Sequence, residues 1–360
     1  MRLAYATEYD PNDIDQFSGT GYHIMKSLRG QALEVCPVGP LTQTKSCFPP
    51  DVTPLNQELQ RKLRDVEFDV IFSSGLDQVS MLDSRRPIVF WHDSTNIGLI
   101  EYYPYFRDFP ADKTRLARQI DQAALSRSRL AIFSSDWAAR IALENYDVDA
   151  SKVKVVPFGA NLECHRNGND IENIIRARPD NLCRLLFVGR QWQRKGGDIA
   201  LDIATELNAR GLRTELIVLG CEPEIRGPIP QFVSTAGYIS KSTGDGAAKI
   251  SELYSRATFL IVPTRAECYG IVFAEASSFG LPSIATRTGG ITTVVRDGRN
   301  GKLFALEAGA SEYCSWIIGL MRNRLRYEHL CRTAFFEFQS RLNWRVNAAI
   351  VRDLLELHCG

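Results

Sequence analysis

The chain contains no CxxC or CxxxC pair. Its nine cysteines fall singly at Cys36, Cys47, Cys164, Cys183, Cys221, Cys268, Cys314, Cys331 and Cys359. An odd, scattered set argues against a disulfide framework and a cysteine-held zinc site. It suits a reducing cytoplasm, with most thiols serving as small core residues. Excess charge of one sign is also missing: 43 Lys and Arg against 42 Asp and Glu leave +1. That balance gives no general case for nucleic-acid binding. No apolar run approaches the roughly 18 residues of a membrane span. The opening Met1-Arg2-Leu3-Ala4-Tyr5-Ala6 is too short, and then too acidic, for a signal peptide, and reads as a first strand.

What is present is a soluble-protein composition, 44% hydrophobic and 24% charged, over 360 residues. That length is more than one ordinary core holds, so two domains are expected. Short β-rich runs alternate with longer helical patterns, which predicts α/β architecture with parallel sheets. In the first half the strands are predicted at 2–6, 68–73, 87–91, 130–134 and 152–157. One helix follows Gly19-Thr20-Gly21 and another spans 113–126. Between 161 and 181 the pattern weakens into Asn, Gly, Asp and Arg, the composition of an inter-domain connection. Alternation then restarts, with strands at 184–188, 214–219, 232–239, 258–262 and 283–286 and helices at 198–210, 247–256 and 270–279. Gly280 and Pro282 punctuate the last of these helices. Trp344, Ala348, Val351 and Leu355 keep one face of a final helix, expected to pack back on the first domain.

In open α/β sheets ligands sit beyond the carboxyl ends of the strands. Arg190 and Lys195 lie directly after the 184–188 strand, where two cations suit a diphosphate and its leaving charge. An ordinary solvated basic loop is the competing reading. The segment fails as a P-loop, because Arg194 stands at the motif's second glycine and Gly196 at its Ser/Thr. Glu275 sits among Phe273, Ala274 and Ala276 with no basic residue within a helical turn. A buried carboxylate there needs donors, and sugar hydroxyls of a ligand are expected to supply them. Glu267 precedes that helix, where a plain helix-start carboxylate is the alternative, and Gly270 lets a ligand approach free N–H groups. Gly289-Gly290 offers a second set of donors, or a simple turn.

Phe187-Val188-Gly189-Arg190, Lys195-Gly196, the E-x7-E of Glu267 and Glu275, Gly280-Leu281-Pro282 and Gly289-Gly290 together resemble glycosyltransferase family four. Val156-Pro157-Phe158-Gly159-Ala160-Asn161 is similar to the family's entry into its linker. The resemblance implies a GT-B fold, two Rossmann-like doubly wound domains facing a cleft, and retaining transfer from a nucleotide-diphosphate sugar, expected to be a UDP- or GDP-sugar. It implies an acceptor-binding domain over 1–163, a nucleotide-sugar-binding domain over 164–340 and a helix over 341–360 crossing back to the first domain. By position, Arg190 and Lys195 would grip the diphosphate, Glu275 the ribose, and Glu267 the donor sugar. Cys268, Tyr269, Gly270 and Ile271 would support sugar and phosphate, and Tyr238 and Ile239 the base through main-chain atoms. Gly19, Thr20 and Gly21 correspond to the family's glycine pair near the phosphates, here split by threonine. His92 corresponds to its histidine facing the donor sugar, with Asp93 placed to orient it. Thr292 and Thr293 stand where the family often has Pro and Glu.

No cofactor is expected beyond the nucleotide sugar, since two cations replace a metal. The strings Asp13-Ile14-Asp15 and Asp147-Val148-Asp149 read as solvated turns in preference to metal sites. Residues 102–129 mix aromatic and basic side chains, so peripheral contact with the inner face of a membrane, or a lipid-linked glycan acceptor, is a secondary expectation. Asp108, Asp112 and Asp121 dilute that charge. Arg322, Arg324 and Arg326 read as a solvated helix end. The alternatives to a glycosyltransferase are a glycan phosphorylase or nucleotide-sugar epimerase of the same architecture, and a non-catalytic sugar-binding subunit.

Overall fold

Leu3, Ala4, Tyr5 and Ala6 have no exposed surface. A strand buried on both faces belongs in a parallel sheet covered by helices on each side. The computed structural model describes residues 1–42 and 48–360 and builds two such sheets in two units. Cys47 lies outside the described residues. The first unit joins Met1–Phe158 to Trp344–Gly360; the second is Gly159–Asn343.

In the first unit β1 (Arg2–Ala6), β2 (Glu34–Pro37), β3 (Val70–Ser73), β4 (Ile88–His92), β5 (Leu130–Phe133) and β6 (Val153–Val155) run parallel. Their order is β2-β1-β3-β4-β5-β6. Leu3 pairs with both Val35 and Val70, and Val89 with Leu130. The winding direction reverses between β1 and β3, which places a crevice beyond their carboxyl ends. The Trp344–Cys359 helix belongs to this unit, packing on helix Thr20–Arg29. Trp344 sits against Trp91 and Phe158, ring centroids 5.4 and 5.5 Å apart, and His23 stacks on it at 6.0 Å. The Trp91 indole N–H is satisfied by the Val156 carbonyl at 2.9 Å. Ala348, Val351 and Leu355 have no exposed surface, so the predicted apolar face is the buried one.

The second unit has β7 (Cys183–Val188), β8 (Thr214–Leu219), β9 (Val233–Gly237), β10 (Phe259–Val262), β11 (Ser283–Thr286) and β12 (Gly301–Phe304). They are parallel in the order β12-β11-β10-β7-β8-β9, with the reversal between β7 and β10. Leu185, Phe187, Val218, Phe259, Ile261 and Ile284 form its core with Ala200, Ile203 and Leu207 of helix Gly197–Ala209.

Two expectations are corrected here. The stretch read as an irregular connection contains helix Gly168–Ala177. A capping box starts it, the Asn167 side chain accepting from Asp170 N at 3.2 Å and the Asp170 carboxylate from Asn167 N at 2.8 Å. Ile171 and Ile175 bury its inner face, so a polar composition hid an amphipathic helix. Arg324 is not merely solvated. It donates to the Ile175 carbonyl at 2.6 Å, the Arg178 carbonyl at 3.0 Å and Glu328 at 2.8 Å, fastening helix Arg324–Arg341 to helix Gly168–Ala177.

Candidate active site

The loop after β7 is stitched to the loop after β10. Arg194 donates to the Ala266 carbonyl at 2.7 Å, while its own carbonyl accepts from Arg265 N at 2.8 Å and the Thr264 hydroxyl at 2.9 Å. Gly196 closes the short helix Trp192–Lys195 at φ 76°, and a Cβ there would lie 2.1 Å from the Pro263 carbonyl oxygen. Only glycine permits both that left-handed turn and that approach. The two loops flank the point where the winding of the sheet reverses.

Lys195 and Glu267 meet at this seam. The Lys195 ammonium contacts Glu267 Oε2, and Arg194 lies 3.8 Å from the same oxygen. Burial, with the Arg194 charge next to it, pulls the Lys195 pKa from 10.5 to about 7. The Glu267 carbonyl accepts from Gly290 N at 3.1 Å, which brings the Gly289-Gly290 turn to the same place. Gly270 caps helix Ile271–Ser277 at φ 88°, its α-carbon facing the Phe273 ring. Cys268 and Tyr269 are buried and Ile271 is half-buried, so the 268–271 segment exposes little side chain.

Glu275 is 2% exposed, as its apolar neighbours suggest, but its donors are the protein's own. The expectation that a ligand supplies them is corrected. Lys241, in the loop after β9, contacts Oε1, and the Tyr254 hydroxyl of helix Gly244–Arg256 donates to Oε2 at 2.9 Å. Burial and the adjacent Glu275 carboxylate raise the Tyr254 phenol well above its ordinary range, so it stays a donor. The sequence offers no local sign of either partner, because both are brought by folding. Helix Ile271–Ser277 ends on Gly280 at φ 54°, with Leu281 N donating to the Ala276 carbonyl at 3.0 Å. Beneath that end the buried Arg178 guanidinium donates to the carbonyls of Phe279 at 3.0 Å and Gly280 at 2.8 Å.

Arg190 is exposed and lies over the Tyr238 ring, 4.7 Å from its centroid. Tyr238, 56% exposed, and the half-buried Ile239 follow β9 in the loop that carries Lys241. Arg190, Lys195, Tyr238, Ile239, Lys241, Glu267 and Glu275 thus all lie beyond the carboxyl ends of β7, β9 and β10.

His92 and the glycine motif lie in the first unit. His92 ends β4, and its Nδ1–H donates to the Ser74 carbonyl at 2.7 Å. Asp93 Oδ1 is 3.6 Å from Nε2, longer than a hydrogen bond, so Ser74 and not Asp93 orients the ring. Gly19, at φ 87°, starts helix Thr20–Arg29, and the Gly21 carbonyl accepts from the Tyr5 hydroxyl at 3.0 Å.

The DxD strings are turns. Asp13 accepts from Asp15 N and the Gln16 amide, both at 2.9 Å, and Asp149 accepts from Ser151 N at 2.8 Å. Asp121 does not dilute surface charge, because it has no exposed surface. Tyr103 is buried and Phe106 packs between Tyr105, Phe109 and Phe48, while Tyr105 is 63% exposed. Four of the eight described cysteines are buried and four half-buried, all as free thiols. Among the described residues no helix is long and apolar enough to cross a membrane, and no three His, Cys, Asp or Glu side chains group as metal ligands.

The profile of the family described as Glycosyl transferases group 1 matches residues 183–323. D-inositol 3-phosphate glycosyltransferase of Acidothermus cellulolyticus is 31% identical over 213 residues, 54% of this chain and 46% of that protein. D-inositol 3-phosphate glycosyltransferase 2 of Catenulispora acidiphila is 29% identical over 261 residues, 69% of this chain and 60% of that one. The chain spans about half the length of the curated relatives it matches. Among solved structures, sucrose-phosphate synthase from Thermosynechococcus elongatus superposes with a TM-score of 0.71 at 16% identity, covering 99% of this chain and 98% of that one. Anabaena HepE in complex with UDP superposes at 0.69 and 15%, covering 99% and 100%. The fold is GT-B.

Proposed function

We propose that this chain, whose residues 183–323 match the Glycosyl transferases group 1 family, transfers a sugar from a UDP- or GDP-sugar to an acceptor hydroxyl with retention. The observation that carries the reading is the pair of carboxylates eight residues apart, each already matched to a lysine. Lys195 is held on Glu267 and Lys241 on Glu275, at the reversal point of a parallel sheet.

Such a set is preorganised for a molecule that is both anionic and hydroxylated. Arg190 and Lys195 take the diphosphate and stabilise its charge as the glycosidic bond to the donor breaks. Glu275 takes the ribose diol. A carboxylate has about four lone-pair sites, and Lys241 and Tyr254 engage only some of them. Glu267 holds donor-sugar hydroxyls, and neither carboxylate acts as nucleophile. The acceptor oxygen attacks on the face the diphosphate leaves, and the departing phosphate oxygen accepts its proton. HepE, solved with UDP and with UDP-glucose, supports a uridine donor by analogy of fold.

Calorimetric titration with UDP, GDP and their sugars tests the reading. A nucleotide sugar is expected to bind, and Arg190→Ala with Lys195→Ala to abolish binding. Unchanged affinity in the double variant would refute the diphosphate role. We further propose metal-independent transfer, because fixed cations serve the leaving group. Activity lost on rigorous chelation and restored by magnesium or manganese would overturn that part.

A further inference from the structure

The first unit has its own cavity, about 190 Å³, beyond β1, β3 and β4 at the reversal point of its sheet. That is smaller than the roughly 300–1,000 Å³ of drug-sized sites, so it suits a single ring. One wall is a run of parallel rings: Tyr9 stacks on Phe17 with centroids 5.1 Å apart, and Phe17 on His92 at 6.1 Å. Phe17 holds this position at φ 47° and Ser18 follows at 56°, left-handed conformations that side chains other than glycine rarely adopt.

Phe48, Leu76 and Leu99 add apolar lining; the acidic lining residues are Glu8, Asp77 and Asp121, and among the described residues His92 is the one lining group able to carry positive charge. The Gln78 amide donates to Glu8 at 3.2 Å, and Asn96 Nδ2 donates to Asp77 at 2.8 Å and to Asp121 at 2.9 Å. Asp121 is committed to structure, accepting also from Asn96 N, Ile97 N and the Tyr146 hydroxyl. Glu8 and Asp77 each retain acceptor capacity. Burial pushes both carboxyls upward, the Asp77 charge adds to the rise at Glu8, and His92 counters it at each. Among the described residues neither lysine nor arginine lines the cavity.

We infer that this cavity seats the acceptor, as one sugar or cyclitol ring bearing no phosphate or carboxylate, and that Glu8 and Asp77 enforce that restriction. The assignment as acceptor site rests on the transferase reading above. Ring hydroxyls donate to Glu8 and Asp77 while a ring face lies against the aromatic wall. An anionic substituent would meet two carboxylates with neither lysine nor arginine beside them among the described residues, and like charges at close range exclude a wrong ligand strongly.

The test measures binding of glucose, galactose and myo-inositol, each against its monophosphate, by ligand-observed NMR in the full chain. Transfer from the bound nucleotide sugar to the same panel follows. At least one neutral polyol is expected to bind and accept, about tenfold or more better than its phosphate ester. Glu8→Gln alone and with Asp77→Asn should narrow that ratio, with unchanged melting temperature as the control for folding. Binding of no neutral polyol, preference for a phosphate ester, or an unchanged ratio in both variants overturns the inference. Nucleotide binding is scored separately. Its absence alongside polyol binding would sink the transferase reading and the acceptor role, leaving a sugar site; its presence with phosphate preference would sink only the inference.

Discussion

Lys241 and Glu275, 34 positions apart in the chain, form a half-buried ion pair that leaves Tyr254 to satisfy the second carboxylate oxygen at 2.9 Å. Removing either partner leaves a buried charge short of a donor. Tyr254→Phe should cost about 1–3 kcal/mol of stability, the penalty for one under-satisfied buried acceptor. Lys241→Met should cost about 3 kcal/mol or more, because the counter-charge goes as well. Urea denaturation reads both, and a Lys241→Met variant as stable as wild type would show that the pair contributes nothing to the fold.

Lys195→Ala should lower turnover by about 10²–10³-fold, the usual effect of deleting one preorganised donor to developing negative charge. Glu267→Gln keeps the shape but loses the charge that holds Lys195. It should lower kcat more than it raises the KM for the donor. Steady-state kinetics with the cognate donor decide, and a change confined to KM would move both residues out of the reacting centre.

The depressed Lys195 pKa predicts a pH response. As pH rises through about 7 the ammonium loses its proton and the diphosphate loses a cation. Donor affinity should therefore fall between about pH 6 and pH 8.5, while Lys195→Arg stays level because guanidinium remains charged. For stability the sign is opposite. Between about 7 and the ordinary lysine value the unfolded chain binds the extra proton, so this group's contribution rises with pH across that window. Calorimetry and denaturation at matched pH values check the two trends.

Gly196→Ala would place a methyl 2.1 Å from the Pro263 carbonyl oxygen at φ 76°. It should destabilise by about 3 kcal/mol or more and loosen the seam that presents Lys195. Gly298, at φ 74° with open space around it, isolates the conformational cost alone, about 1–2 kcal/mol for alanine. Equal melting temperatures for the two variants would show that the Pro263 contact is relieved at no cost.

The fold class is legible in the sequence because parallel strands buried on both faces are nearly continuous apolar runs, as at Leu185-Leu186-Phe187 and Phe259-Leu260-Ile261-Val262. The strands without that signal are at the sheet edges: β2 is Glu34-Val35-Cys36-Pro37 and β12 carries Lys302. Glu267, Glu275, Arg190 and Lys195 are legible through spacing and strand-end position. Lys241 and Tyr254 are not, because their relation to Glu275 passes through two loops and a helix. Ser74 as the orienter of His92 is hidden for the same reason: a backbone carbonyl on a neighbouring strand end leaves no mark in side-chain chemistry.

The chain leaves its first unit after Phe158 and rejoins it at Trp344. During synthesis the second unit is therefore complete before the first can be. Until residues 344–360 emerge, Trp91 and Phe158 lack the indole that covers them, and an aromatic face stays open to solvent and to other nascent chains. The unit that is made first is the one that matures last.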